Sequence, residues 1–244
     1  MKKKRIHYSS PTIIEAVIEV RFASSMDTQK IEKKLGSRYK YEKSDLVVYA
    51  AAFNPTGVSL QQSRPGQTRL KFTIKDQVSA QVYPDRLSFH WVGKYPGWGV
   101  FQPEFADFWK QLAKVCPEVK GNRISVRFIN MVDQKTVKQQ VAYWLRPSLH
   151  YPKSILAAKS DYFLSFRRPL GKERLVQIFV AEGELKEKHI KPLILDIDVI
   201  QNIAASSQRR FDPSKTIELL HEEIFRIFQD SISLNYKKVL NEKK

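Results

Sequence analysis

The feature that most constrains this chain is a strand pattern that occurs twice, each time opening a similar succession of elements. In "IIEAVIEVRF", residues 13–22, Ala16, Ile18, Val20 and Phe22 alternate with Glu15, Val17, Glu19 and Arg21, the period of a half-buried β-strand. Asp27 then offers an N-cap to a short, basic helix closed by Gly36. The runs "DLVVYAAAF", "TRLKFTIKD", "SAQVY" and "RLSFHWV" read as strands, split by turn signals at Asn54–Gly57, Asp76-Gln77 and Pro84-Asp85. From Pro103 to Cys116, Phe105, Phe108, Trp109, Leu112 and Ala113 recur at helical spacing, with Gln102 and Pro103 as entry signals. The first half therefore reads β-α-β4-α.

The second half repeats this order with the strand "ISVRFINMV", the helix "KTVKQQVAYWL", the strands "DYFLSFRR", "RLVQIFVAE" and "PLILDIDVI", and the helix "SKTIELLHEEIFRIFQDSI". Two short anchors agree in order: "EVRF" at 19–22 with "SVRF" at 125–128, and "FQP" at 101–103 with "FDP" at 211–213. The expected fold is α+β: two pseudo-repeated β-α-β(3-4)-α halves, 1–122 and 123–244, in one compact unit. They share a continuous curved antiparallel sheet with the helices on one face. The element order resembles that of TATA-binding-protein-like and helix-grip folds.

Charge narrows the partners. The 244 residues hold 42 Lys and Arg against 25 Asp and Glu, a formal +17. The excess divides evenly, about +9 over residues 1–122 and about +8 over the remainder. Such a balance favours acidic partners, nucleic acid first. Cys116 is the single cysteine, so no intrachain disulfide forms, and no Cys/His spacing matches a zinc site. Pro11, Glu15 and Glu19 interrupt the apolar stretch an export signal needs, and no run of about 18 apolar residues spans a bilayer. A cytoplasmic protein with no membrane association and no cofactor is expected; the oligomeric state stays open.

The candidate sites follow from the strand phase. "LILDIDVI", residues 193–200, turns Asp196 and Asp198 away from the apolar side, onto the face that Glu15, Glu19 and Arg21, and Ser125 and Arg127, occupy on the related strands. Arg21, Arg127, Asp196 and Asp198 form an expected open-face charge cluster, with Arg127 the natural partner of Asp196. A structural ladder, a ligand contact and a metal site are the three readings of these aspartates; a metal needs more oxygens than they supply. Basic residues near aromatics give the candidate contacts to nucleic acid or an acidic partner. These are Lys30, Lys33, Lys34, Arg38 and Lys40 beside Tyr39 and Tyr41, then Arg69, Lys71 and Lys75 on one strand face, then Arg167, Arg168, Lys172, Arg209 and Arg210 in loops. Tyr95 and Trp98 flank a Pro-Gly turn and are possible exposed anchors.

Catalytic motifs fail on inspection. "HEEIF" at 221–225 has Phe225 where a zinc protease needs its second histidine, and "GWG" at 97–99 lacks the dinucleotide-binding context. "ELK" at 184–186 has the residue types of a nuclease pair within a charged connection. Cys116 fits a buried apolar role, and His90, His150, His189 and His221 show no triad spacing.

Four stretches taken together, "PTIIEAVIEVRF", "YPGWGVFQPEFADFW", "RISVRFINMV" and "LILDIDVI" followed by "ELLHEEIFRIFQDSIS", resemble a sporadically distributed, uncharacterised prokaryotic family of about this length. The resemblance implies no activity, cofactor or catalytic residue; patchy distribution implies mobile genes such as defence or toxin-antitoxin loci. The expected function is a non-enzymatic protein binding nucleic acid or an acidic protein through its basic surface. Alternatives are a partner-binding component of a defence or toxin-antitoxin type locus, and a small-molecule or metal-binding protein using the open sheet face.

Overall fold

A computed structural model describes residues 8, 11–54, 57–132, 163–182, 192–206 and 211–241. Nine strands form one antiparallel sheet: β1 (Ile13–Phe22), β2 (Lys40–Asn54), β3 (Gly57–Lys75), β4 (Val78–Tyr83), β5 (Arg86–Val92), β6 (Gly121–Val132), β7 (Phe163–Pro169), β8 (Arg174–Glu182) and β9 (Leu193–Asn202). Their spatial order is β2-β3-β4-β5-β1-β6-β9-β8-β7. Among the described residues the sheet does not close, and β2 and β7 are its edges. With α1 (Thr28–Leu35), α2 (Trp98–Val115), α3 (Pro213–Ser231) and α4 (Leu234–Asn241), the protein is α+β as expected.

The middle of the sheet is the antiparallel pair β1–β6. Ala16 lies opposite Phe128, Ile18 opposite Val126 and Val20 opposite Ile124, all buried. The EVRF and SVRF stretches of the first anchor meet here, with Glu19 facing Ser125 on the face away from the helices. Strand periodicity then dictates the layers. Leu70, Phe72, Val78, Ala80, Val82, Leu87, Phe89, Leu195, Ile197 and Val199 continue the apolar face across neighbouring strands, and helix residues complete the core.

Helix α2 covers the first half through residues three or four apart, Phe101, Phe105, Phe108 and Leu112, all buried. Phe89 is the knot, its ring centroid 5.8, 5.7 and 5.9 Å from those of Phe101, Phe105 and Phe108. Helix α1 starts at Asp27, whose carboxylate accepts from the Lys30 amide at 3.0 Å, and buries only Ile31 and Leu35. Helix α3 starts at Asp212-Pro213 and lies on β6 and β9 through Ile217, Leu220 and Ile224. Cys116 is buried, and burial raises its thiol pKa.

Several expectations change. Helix α2 begins at Trp98, five residues before Pro103, because Gly97 adopts φ 99° and its carbonyl accepts from the amides of Val100 and Phe101. That start carries Trp98 inward. Tyr95 and Trp98 are only 8% and 9% exposed, so neither is a surface anchor. Trp98 stacks on His221 of α3 at 4.1 Å between ring centroids, and its Nε1 donates to Glu218 at 2.7 Å. Helix α4 has no counterpart among the expected elements, and β2 and β3 pair well beyond the expected strands. The expected helix over 135–145 lies outside the described residues, as do Glu184–Lys186, His150 and His189. Among the described residues, no helix is long and apolar enough to cross a membrane.

Trp98 bridges α2 and α3, so Trp98→Ala should cost about 3–5 kcal/mol. For a chain of this size that is a fall in Tm of roughly 6–20 °C. A thermal shift below about 2 °C would contradict this packing role.

Candidate nucleic-acid interface

The strand register places every open-face side chain in a cross-strand row. One row joins Arg86 of β5, Arg21 of β1 and Arg123 of β6, with Asn202 of β9 beyond. The next holds Lys71, Gln81, Ser88, Glu19, Ser125 and Ile200. A third runs Lys40, Thr73, Ser79, His90, Val17, Arg127, Asp198, Gln177 and Arg167, from one edge to the other. Charged side chains of both signs thus share a surface whose backbone is already consumed by the sheet.

The centre of this surface is compensated. Arg127 donates Nε to both oxygens of Asp196, at 2.9 and 3.1 Å, and Nη2 to Oδ2 at 2.5 Å. Asp196 is 5% exposed, and this contact holds the Arg127 guanidinium above its ordinary pKa. Arg21 donates to Glu19 at 2.8 Å, and Ser88 donates to the other Glu19 oxygen at 3.1 Å. Burial pushes the Glu19 carboxyl upward, but Arg21 and Ser88 outweigh it and leave the pKa low. Arg86 pairs with Asp85 at 3.1 Å and lies over the Tyr83 ring at 3.8 Å. On the other side, Glu15 lies 2.8 Å from His90 Nδ1, which holds its carboxyl low; Gln81 Nε2 lies 3.3 Å from His90 Nε2, and Tyr83 donates to Gln81 at 3.0 Å.

Two groups in this network are left short. Asp198 Oδ1 and Arg123 Nε are buried and, among the described residues, have no hydrogen-bond partner. Burial pushes the Asp198 carboxyl up to about 6, against the pull of Ser125, Arg123 and Arg127. Burial and the neighbouring Arg21 charge lower the Arg123 pKa.

The expected basic residues divide between the two faces. Lys30, Lys33, Lys34 and Arg38 are exposed on and just after α1, on the helix side. Lys33 and Lys34 lie in its last turn, where the helix dipole favours cations. Lys40, Arg69 and Lys71 lie on the sheet face, Arg69 donating to Ser44 at 3.1 Å. Lys75 does not continue their stripe: an irregularity after Thr73 breaks the register, and Lys75 pairs with Glu104 of α2. Arg167 and Arg168 are not in a loop but in β7, where Arg167 takes the sheet face and Arg168, opposite Val176, the helix side. Lys172 is exposed in the β7–β8 turn, while Arg209 and Arg210 lie outside the described residues.

The structure adds Arg86, Arg123, His90 and Tyr83 to the expected charge cluster, beside Glu15, which the strand phase already puts on this face. Arg86, His90 and Tyr83 fall on the polar parity of strands legible in the sequence, whereas Arg123 lies just before the expected strand "ISVRFINMV", and only the register shows which rows they share. Among the described residues, Lys40, Arg69, Lys71, Arg123 and Arg167 make no ion pair, and these cations reach from β2 to β7 around a balanced centre. Among the described residues, no three His, Cys, Asp or Glu side chains converge to hold a metal ion.

No family model and no curated protein matches the chain. Among solved structures, the S. pombe Pct1 RNA triphosphatase aligns over 96% of this chain and 87% of its own at 10% identity. Its TM-score of 0.15 is too low to carry any argument about fold or function.

The Asp198 carboxyl provides a test of the network. Its folded pKa lies above the unfolded value near 3.9, so ionisation costs stability: nothing below about pH 4, and on the order of 2–3 kcal/mol once pH exceeds about 6. Asp198→Asn should therefore raise unfolding free energy by about that amount at pH 8 and leave it unchanged near pH 4. Urea unfolding at the two pH values checks this; a gain independent of pH would contradict it.

Proposed function

We propose that this protein is a non-enzymatic, cytoplasmic binder of nucleic acid, and that the ligand's phosphates lie on the open sheet face. The observation that carries the reading is Arg123. Its guanidinium stands in a row of three arginines; Arg21 and Arg86 each have a carboxylate, whereas the buried Arg123 Nε has no acceptor among the described residues. A buried charged donor without a partner is costly, and an anionic oxygen is its natural complement.

The other cations support the same ligand. Arg167 on one flank and Lys40, Arg69 and Lys71 on the other extend the positive surface across the sheet, as a polyanion requires. The α1 lysines have a simpler explanation, since a solvated helix face carries such residues without any ligand. In this reading, residues 1–122 and 123–244 are diverged copies whose sheet halves jointly form the surface.

Fluorescence anisotropy with labelled oligonucleotides across a salt series tests the proposal. Sub-micromolar binding near physiological salt is expected, weakening steeply as salt rises. The double variant Arg123→Gln/Arg167→Gln should bind more weakly and make the logarithmic salt slope shallower by about 1.4, the equivalent of two lost phosphate contacts to a single strand. Lys33→Gln/Lys34→Gln should change neither. The opposite pattern, or no binding by the wild type, would overturn the reading.

A further inference from the structure

Within the proposed nucleic-acid reading, on which it rests, we infer that the ligand is single-stranded and that one of its bases stacks on Phe163. Phe163 opens the edge strand β7 and is 67% exposed. It lies opposite Ala181 of β8, and Phe179 lies opposite Asp196 of β9, which puts both rings on the same face as the arginine rows. They are diagonal neighbours with centroids 5.8 Å apart and planes at 39°. Phe179 is half-buried and backs the ring that Phe163 presents to solvent.

An exposed phenylalanine on an edge strand is a liability that sheet proteins usually avoid. Solvation does not explain it, and the core lies on the other face. Arg167 follows on the same face of β7, about 13 Å along the strand. Arg167 stands in one cross-strand row with Gln177, Asp198 and Arg127, so the aromatic pair adjoins the charged rows of the sheet face. Stacking surface joined to a basic track is the arrangement that holds unpaired bases and their phosphates together. A duplex keeps its bases stacked internally and offers Phe163 nothing but its backbone.

Anisotropy titrations with four probes test this: a pyrimidine oligonucleotide, an abasic oligonucleotide of equal length, a duplex of the same sequence, and polyglutamate. The wild type should prefer the base-bearing single strand to the abasic one by roughly tenfold. Phe163→Ala should erase that preference, leave duplex and abasic affinities within about twofold, and leave Tm nearly unchanged; Phe163→Tyr should retain it. If Phe163→Ala has no effect, or weakens all probes alike, the single-strand inference fails while the broader reading stands. If polyglutamate displaces the oligonucleotide and Phe163→Ala has no effect, the ligand is an acidic protein. If no nucleic acid binds the wild type, both readings fail.

Discussion

The pairing of β1 with β6 makes one sheet out of two half-chains, and the burial of its alternate residues sets everything else. Ala16, Ile18 and Val20 meet Phe128, Val126 and Ile124 against the helices, and burying each such side chain contributes about 1.5–3 kcal/mol for the larger ones. A slip of one residue would turn that whole set to the opposite face, so the register is strongly specified. The same alternation leaves Glu19, Arg21, Ser125 and Arg127 no choice but the other side. Charge is concentrated on that surface as a consequence of the core.

A sheet face crowded with half-buried charges must balance itself. Arg127 does so with Asp196 in a forked contact, and Arg21 with Glu19 two residues along its own strand. Such pairs offset desolvation more than they add net stability. The informative members are those the balance leaves out. Asp198 is pushed toward protonation and Arg123 has an orphaned donor, so the unsatisfied acid and the unsatisfied base lie on neighbouring strands.

Much of the architecture was legible in the sequence because strand alternation and helix caps act locally. Asp27, Gly36 and the Asn54–Gly57 turn mark the ends of their elements, and the phase of "LILDIDVI" places both aspartates correctly. The start of α2 is not legible in the sequence because Pro103 is a good first-turn residue, whereas the actual start depends on the positive-φ backbone of Gly97 and on the Trp98–His221 stack with α3. Long-range packing of that kind leaves no periodic trace. The arginine row was hidden for a related reason: Arg21, Arg86 and Arg123 come from three distant stretches and become neighbours only through register. Lys75 illustrates the converse, since a local irregularity after Thr73 removes it from an alternation that otherwise holds.

We propose that nucleic acid engages the open face of the sheet and not the basic helix layer. Photocrosslinking a thio-pyrimidine oligonucleotide to the full chain, with mass-spectrometric mapping of the attached peptides, tests it most directly. Crosslinks are expected on β6, β7 and β8, in peptides containing Arg123, Phe163, Arg167 or Phe179. Crosslinks confined to the α1 segment around Lys30, Lys33 and Lys34 would contradict it.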